Sequence, residues 1–361
     1  MNVMNNTLYD NYNGDHSLSI DRLGVESRAA ASAFLAAGIA PNTVRSYQSA
    51  LAYWAIWLQG RYGRAINAGP LTEVVVVQFI LDHLARPEAG AWLHMLPQTL
   101  DIALINAGVK AKAGALSYNT VRHRLAVLGK WHGLKNWQSP TESVAVKTLL
   151  REARKAQARE GVTVRKKTAA VREPLEAMLA TCTDGVRGLR DRALLLLAWS
   201  GGRRRSEVVG LQVGDVRQLN EDTWLYTLGV TKTETNGVRR EKPLCGPAAR
   251  ALSAWLATAP ATTGPLFRRV YRGGRVGVAG LSADQVARIV QRRAEMAGLD
   301  GDWAAHSLRS GFISEAGRRN VPLVEIMAFT EHRTVATALQ YYQSGALIKS
   351  TATLLLENLD I

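Results

Sequence analysis

Cysteine is nearly absent from this chain of 361 residues. The two present, Cys182 and Cys245, form neither a C-x-x-C pair nor a plausible bridging framework, which excludes a disulfide scaffold and a zinc knuckle. Such sparse thiols fit a reducing compartment, so a cytoplasmic location is expected. Long apolar runs are lacking too: none approaches the roughly 18 to 20 residues a bilayer span requires, and no membrane partner is expected. The opening MNVMNNTLYDNYNGDHSLS has neither the charged start and apolar core of a signal peptide nor the arginines of a transit peptide, and residues 1–26 read as a flexible polar arm. There is no P-loop, no carboxylate cluster suited to Mg²⁺, and no H-x-x-x-H spacing among the seven histidines, so no cofactor is expected. Acidic residues are outnumbered: 45 Lys+Arg against 30 Asp+Glu leave a net charge of +15. With 47% hydrophobic residues the chain can build two real cores, and its excess positive charge points to the phosphate backbone of double-stranded DNA.

The N-terminal half reads as helical. After Pro41, the residues Val44, Tyr47, Leu51, Trp54 and Leu58 recur at three- and four-residue steps, predicting a helix with one apolar face and Arg45 on the other. Thr72 and Ser117 are N-cap signals for helices over 73–84 and 118–132, the latter carrying Arg122, Arg124 and Lys130. A fourth helix after Pro140 ends in Lys147, Arg151, Arg154 and Lys155. Any single basic face is better explained by solvation. Several together in so basic a chain assign residues 27–160 as a DNA-binding domain, with Arg45, Arg122, Arg124, Lys130, Arg154 and Lys155 as candidate contacts. The stretch from Pro87 to Gly114 reads as an inserted helical hairpin. Residues 161–172 are polar, basic and without apolar periodicity, an interdomain linker whose Lys166 and Lys167 are further candidate contacts.

Beyond the linker, LRDRALLLLAWSGGRRRSEVVGL predicts a buried helix over 192–199, a stop at Gly201-Gly202 and a new helix near Ser206-Glu207. WLYTLGVTKT alternates as a strand over 224–233, Asn236-Gly237 signals a turn, and a strand returns over 238–244, placing Lys232 on a hairpin. The densest chemistry lies in HSLRSGFISEAGRRNVPLVEIMAFTEHRTVATALQYY, from His306 to Tyr342, on two short amphipathic patterns separated by a turn at Asn320-Val321-Pro322. His306 and Arg309 are three apart and share a helix face, an arrangement suited to two donors on one phosphate. His332 adds a third donor, and Tyr341 a phenol that can act as nucleophile.

H-S-L-R, then E-H-R-T, then a tyrosine nine residues after the second histidine resembles the active-site box of the tyrosine recombinases, the phage integrase and Cre recombinase family. The resemblance covers roughly residues 30 to 361. G-x-R-x-S-E is similar to the family's first arginine motif and its register selects Arg204, flanked by Arg203 and Arg205 where the family usually has apolar residues. The T-K-T context of Lys232 resembles the family's hairpin lysine, and Glu331 stands where glycine usually precedes the second histidine.

The resemblance implies a mainly α fold with a small β-hairpin or sheet in the catalytic domain. An N-terminal helical core-binding domain and a C-terminal α+β catalytic domain, 173–345, would form a C-shaped clamp on DNA. It implies Tyr341 as nucleophile, Arg204 and Arg309 as the phosphate clamp, and His332 as a further donor. Lys232 would be the acid for the leaving 5′ oxygen, His306 the base for the phenol, and Glu207 a brace. The expected activity is site-specific recombination through a 3′-phosphotyrosyl link and a Holliday junction held by four protomers, without metal or ATP; no accessory DNA-bending protein is specified. Residues 346–361, with Leu347, Leu354 and Leu355, would form a terminal helix exchanged between protomers. A type IB topoisomerase-like or telomere-resolving enzyme shares the chemistry, and a non-catalytic architectural DNA-binding protein is the alternative from another class.

Overall fold

The computed structural model describes residues 41–88, 91–162, 166–229, 241–332 and 334–346. The chain divides into two compact units, Met1–Val164 and Arg165–Ile361.

In the first unit, α1 (Pro41–Tyr62) and α2 (Glu73–His83) supply most of the core. Trp54, Trp57 and Leu58 of α1 are fully enclosed with Phe79 and Ile80 of α2, and Trp54 stacks on Phe79 with ring centroids 3.8 Å apart. Buried Trp57 donates to Asp82 at 2.9 Å, which satisfies both polar groups where water cannot reach. The segment after α2 departs from the expected helical hairpin. It forms the antiparallel pair β1 (Arg86–Glu88) and β2 (Ala91–Leu93), then one helix, α3 (Gln98–Asn106). The reason is local: Pro87 has no N–H to give a helix and lies in the paired strand opposite Trp92. Buried Lys110 pairs with Asp101, which also accepts from the Gly114 amide at 2.7 Å, closing the loop that follows α3. Two further helices complete the unit, α4 (Tyr118–Leu134) and α5 (Val144–Arg159), capped by Ser117 and Ser143, each accepting from the amide three residues on.

The second unit is built on α7 (Val186–Ser200), whose Leu194, Leu195 and Leu197 are enclosed by α6 (Arg172–Ala180), α9 (Pro247–Thr258), α10 (Ala283–Met296) and α11 (Ala305–Arg318). Asp191 of α7, fully buried, accepts from Arg190, Arg292 and Arg293 at 2.6, 2.9 and 2.7 Å, fixing α10 against α7. A short helix, α8 (Arg205–Gly210), leads into a sheet where sequence alone predicted a hairpin. β3 (Val216–Asn220), β4 (Thr223–Thr227) and β5 (Glu241–Cys245) pair antiparallel in that order. The extra strand β3 was hidden because only its first residue is partly buried, so it shows no inward alternation. The Gly- and Arg-rich stretch also pairs, as β6 (Arg268–Val270) and β7 (Val276–Gly280). The chain finishes with α12 (Leu323–Thr330) and α13 (Val335–Ala346).

The stretch read as an open linker is a tether only in part. Ala170 is fully buried, its amide bonds the Ser307 carbonyl at 2.8 Å, and its carbonyl accepts from Trp199 at 2.8 Å. Residue 311 must be glycine for this crossing, since a Cβ there would lie 1.9 Å from the Ala170 carbonyl oxygen. Among the described residues no helix is long and apolar enough to cross a membrane.

Candidate active site

The site forms where α11, the end of α12 and α13 meet the turn between α7 and α8. That turn is the Gly201-Gly202 stop. Gly202 has φ +56°, and a Cβ there would press on Thr330 at 2.8 Å, so only glycine lets the turn approach α12. The carbonyl of Gly202 accepts from Arg309 Nη1 at 2.6 Å, and Thr330 O accepts from Nη2 at 2.8 Å. Nη2 also donates to the His332 imidazole, 2.9 Å from Nε2. Arg309 is buried, and it is this burial first, then nearby Arg204, that lowers its pKa to about 10; it remains a cation at neutral pH.

The Thr330 hydroxyl donates to Ile326 O at 2.8 Å and meets His332 Nδ1 at 2.6 Å, while Arg309 Nη2 approaches both ring nitrogens, Nε2 at 2.9 Å and Nδ1 at 3.3 Å. Burial, then Arg309, Arg204 and His306, push the His332 pKa down to about 4, leaving the ring neutral. The left-handed backbone at Glu331, φ 56° and ψ 43°, turns the chain from the end of α12 to this histidine. It explains physically why glycine suits that position. The Glu331 carboxylate lies 3.9 Å from Lys242 Nζ.

On the outer side, His306 Nε2 and the Tyr341 hydroxyl are 3.0 Å apart, with the rings edge to face at 5.6 Å between centroids. Ser314 donates to the Tyr341 carbonyl at 3.1 Å, and Lys166 Nζ stands 5.9 Å from the phenol ring centre. Burial, then Arg309 and Arg204, lower the His306 pKa, so this ring too is neutral near pH 7. On the shared helix face Arg309 bonds the Gly202 and Thr330 carbonyls, while His306, one turn earlier, meets the phenol.

The three consecutive arginines separate by environment. Arg203 is enclosed, donating to the Phe329 carbonyl. Arg205 points outward to Asp284 at 2.9 Å. Arg204 is the N-cap of α8, half-buried, and its Nη1 donates to Glu207 at 2.5 Å while the Glu207 carboxylate also takes the Arg204 amide at 3.0 Å. Arg204 lines a cleft of about 300 Å³ with His306 and Lys167. Lys232 lies outside the described residues.

In the first unit, Arg122, Arg154 and Lys155 line a second cleft with Tyr118, Lys147 and Arg151, about 460 Å³ in volume. Arg45 and Lys130 are exposed. Arg124 corrects the expected basic face of α4: it is buried, its guanidinium 3.2 Å from the centre of the Tyr53 ring, held inside by a cation–π contact. Lys166 and Lys167 are exposed, and Lys167 pairs with Asp302 at 2.5 Å. Sequence reasoning missed Thr330 and Ser314. The only signal was a hydroxyl two residues before His332 and one in the helix already marked by His306.

Residues 171–346 match the model of the phage integrase family. An integrase/recombinase xerD homolog of Selenomonas ruminantium is 30% identical over 247 residues, 65% of this chain and 71% of that protein. The chain belongs to the phage integrase family of tyrosine recombinases. A 23% identity over 260 residues relates it to the recombinase cre of Escherichia phage P1, covering 66% of this chain and 76% of that one. The fold of this recombinase is that of the Tn1549 transposon integrase, solved in complex with transposon right end DNA. The TM-score is 0.55, with 14% identity, 92% of this chain and 98% of that chain covered. The XerH site-specific recombinase bound to its difH substrate shares it, with a TM-score of 0.53, 16% identity, 92% of this chain and 85% of that chain covered.

Proposed function

We propose that this site-specific recombinase cleaves and rejoins double-stranded DNA, with Tyr341 as the nucleophile. The phenol oxygen attacks the scissile phosphorus, its proton passes to His306, and a 3′-phosphotyrosyl bond forms as the bond to the 5′ oxygen breaks. Lys232 returns a proton to that oxygen. Arg204 and Arg309 balance the growing charge on the non-bridging oxygens, and Glu207 holds Arg204 by two hydrogen bonds. Three of the Arg309 donors already serve protein acceptors, so it presents its remaining N–H groups to the phosphate. His332 is neutral until a phosphate arrives, whose negative charge favours the protonated ring and makes it a donor. Religation runs the same steps backwards, with a 5′-hydroxyl of the partner strand as nucleophile, and so needs no ATP.

The observation that carries this reading is the 3.0 Å contact between His306 Nε2 and the Tyr341 hydroxyl beside two arginines. An ordinary phenol keeps its proton up to about pH 10, and a neutral imidazole at hydrogen-bond distance supplies the missing base. The test is covalent trapping on a nicked suicide duplex. Tyr341→Phe should abolish the protein–DNA adduct while duplex binding persists. Loss on Tyr342→Phe instead, with Tyr341→Phe still trapping, would overturn the assignment.

The basic cleft of the first unit, with Arg122, Arg154 and Lys155, supplies backbone contacts, joined by Arg45, Lys130, Lys166 and Lys167. Four protomers assemble on paired sites through the terminal segment 346–361, in which Leu347, Leu354 and Leu355 are apolar. What supports a docking place for it is an apolar groove of about 760 Å³ lined by Leu175, Leu179, Trp199, Phe312 and Phe329. A truncation after Gly345 should bind single sites normally and lose cooperative assembly. The protein acts in the cytoplasm, where a DNA substrate and two unpaired thiols both belong.

A further inference from the structure

Two departures from the family pattern, Arg203 and Glu331, come together at the C-terminal end of α12, joined there by Lys242 of β5. The last carbonyls of any helix have no partner within it. In α12 the final three are each taken by a different cation. Lys242 Nζ donates to Ala328 O at 2.8 Å, Arg203 Nη2 donates to Phe329 O, and Arg309 Nη2 donates to Thr330 O at 2.8 Å. The donors arrive from β5, from the turn before α8 and from α11, and their positive charge opposes the negative end of the helix dipole.

Arg203 is 1% exposed, with its guanidinium 5.6 Å from the centre of the Tyr226 ring, and buried Lys242 lies opposite Tyr226 in the β4–β5 register. Nε and Nη1 of Arg203 meet no acceptor among the described residues. Among the described residues only its Nη2 is matched, by the Phe329 carbonyl. What the three cations share is the position of the next residues. Directly after Thr330 the chain turns through left-handed Glu331 to His332, and the carboxylate of Glu331, 3.9 Å from Lys242, sets a negative charge beside the cations.

We propose that Arg203 and Lys242 are positioning residues for His332. With Arg309 they hold the last three carbonyls of α12 and so fix the left-handed turn from which the imidazole meets the phosphate. This rests on the functional reading above, in which His332 contacts the scissile phosphate.

Arg203→Met and Lys242→Met keep the stem and remove the charge, while Arg203→Lys keeps one donor. On a nicked suicide duplex both Met variants should form the covalent adduct roughly 10- to 100-fold more slowly, the loss expected from a slightly misplaced group. Arg203→Lys should recover most of the rate, and duplex binding should be unchanged. Independently of activity, NMR titration of histidine-labelled protein, assigned with His332→Gln, should show the His332 ring titrating well below an ordinary histidine in the parent and moving back towards it in both Met variants. Folded Met variants with parental rates and a parental His332 titration would overturn the proposal. If Arg203→Met does not fold, Lys242→Met decides by the same two readouts. A parent protein that forms no adduct defeats the functional reading instead; the His332 titration then still decides the positioning, a shift supporting it and no shift overturning it.

Discussion

Nε2 of His306 and the hydroxyl of Tyr341 meet at 3.0 Å although they are 35 residues apart in the chain. The contact joins the start of α11 to the middle of α13, so the proposed base and nucleophile sit on different helices and depend on how those helices pack. Small residues and a shared satellite core make that packing close: Ile313, Ala316 and Ile326 are buried there, with Tyr341 and Tyr342 packed against them.

Because burial, Arg309 and Arg204 depress the His306 pKa, the base should stay neutral to lower pH than a free imidazole. Single-turnover adduct formation should therefore begin to fall at a lower pH than an ordinary imidazole base would give. His306→Gln should slow adduct formation by about 10²- to 10⁴-fold. A profile that already falls between pH 8 and 7 would contradict this role.

Arg204→Ala should cost about 10²- to 10³-fold in adduct formation, the effect of one lost transition-state donor. Arg205→Ala removes only an exposed pair with Asp284, and such pairs contribute about 0 to 1 kcal/mol, so cleavage should be near parental. The pair of rates separates the catalytic register from its neighbour.

Gly311→Ala should destabilise the second unit strongly, because the new methyl group would overlap the Ala170 carbonyl at 1.9 Å and neither backbone can give way without moving α11. A loss on the order of 3 kcal/mol is expected. It is read as a fall in the urea midpoint of the second unit.

Arg124 and Arg154 should behave oppositely. Arg154 is exposed in the basic cleft, and Arg154→Ala should weaken duplex binding uniformly and reduce its salt slope by about one. Arg124→Ala strips a buried guanidinium from the Tyr53 ring and should lower the stability of the first unit, with no change of salt slope.

Stability should fall on mild acidification. Burial holds the His83 pKa near about 3, and burial with nearby arginines holds His332 near about 4. Between those values and the unfolded value of about 6.5 the unfolded chain binds more protons, so unfolding free energy rises with pH across that window, by up to about 1.4 kcal/mol per unit for each group. Urea titrations at pH 5 and pH 7 should show the lower midpoint at pH 5, and His83→Gln should reduce the difference.

The sequence by itself determined the elements that depend on near neighbours. Ser117 caps its helix as its position before Tyr118 implies, and the Gly201-Gly202 stop breaks α7 from α8, both within a few residues of the chain; Thr72 stands at the N-cap of α2 without a side-chain cap bond. The spacing from His332 to Tyr341 is likewise local, being set by one turn and one helix. Only the tertiary structure decided what covers each charge. Arg122 and Arg124 stand two apart on one helix, yet one lines a cleft and the other lies on the Tyr53 ring. Helical periodicity gives the direction of a side chain but not what another segment brings to cover it. The same holds for Arg203, whose partner carbonyl is 126 residues away, and for left-handed Glu331, which follows three carbonyls taken by cations from three separate elements. Such long-range contacts are settled by which surfaces exclude water together, and no local pattern carries that information.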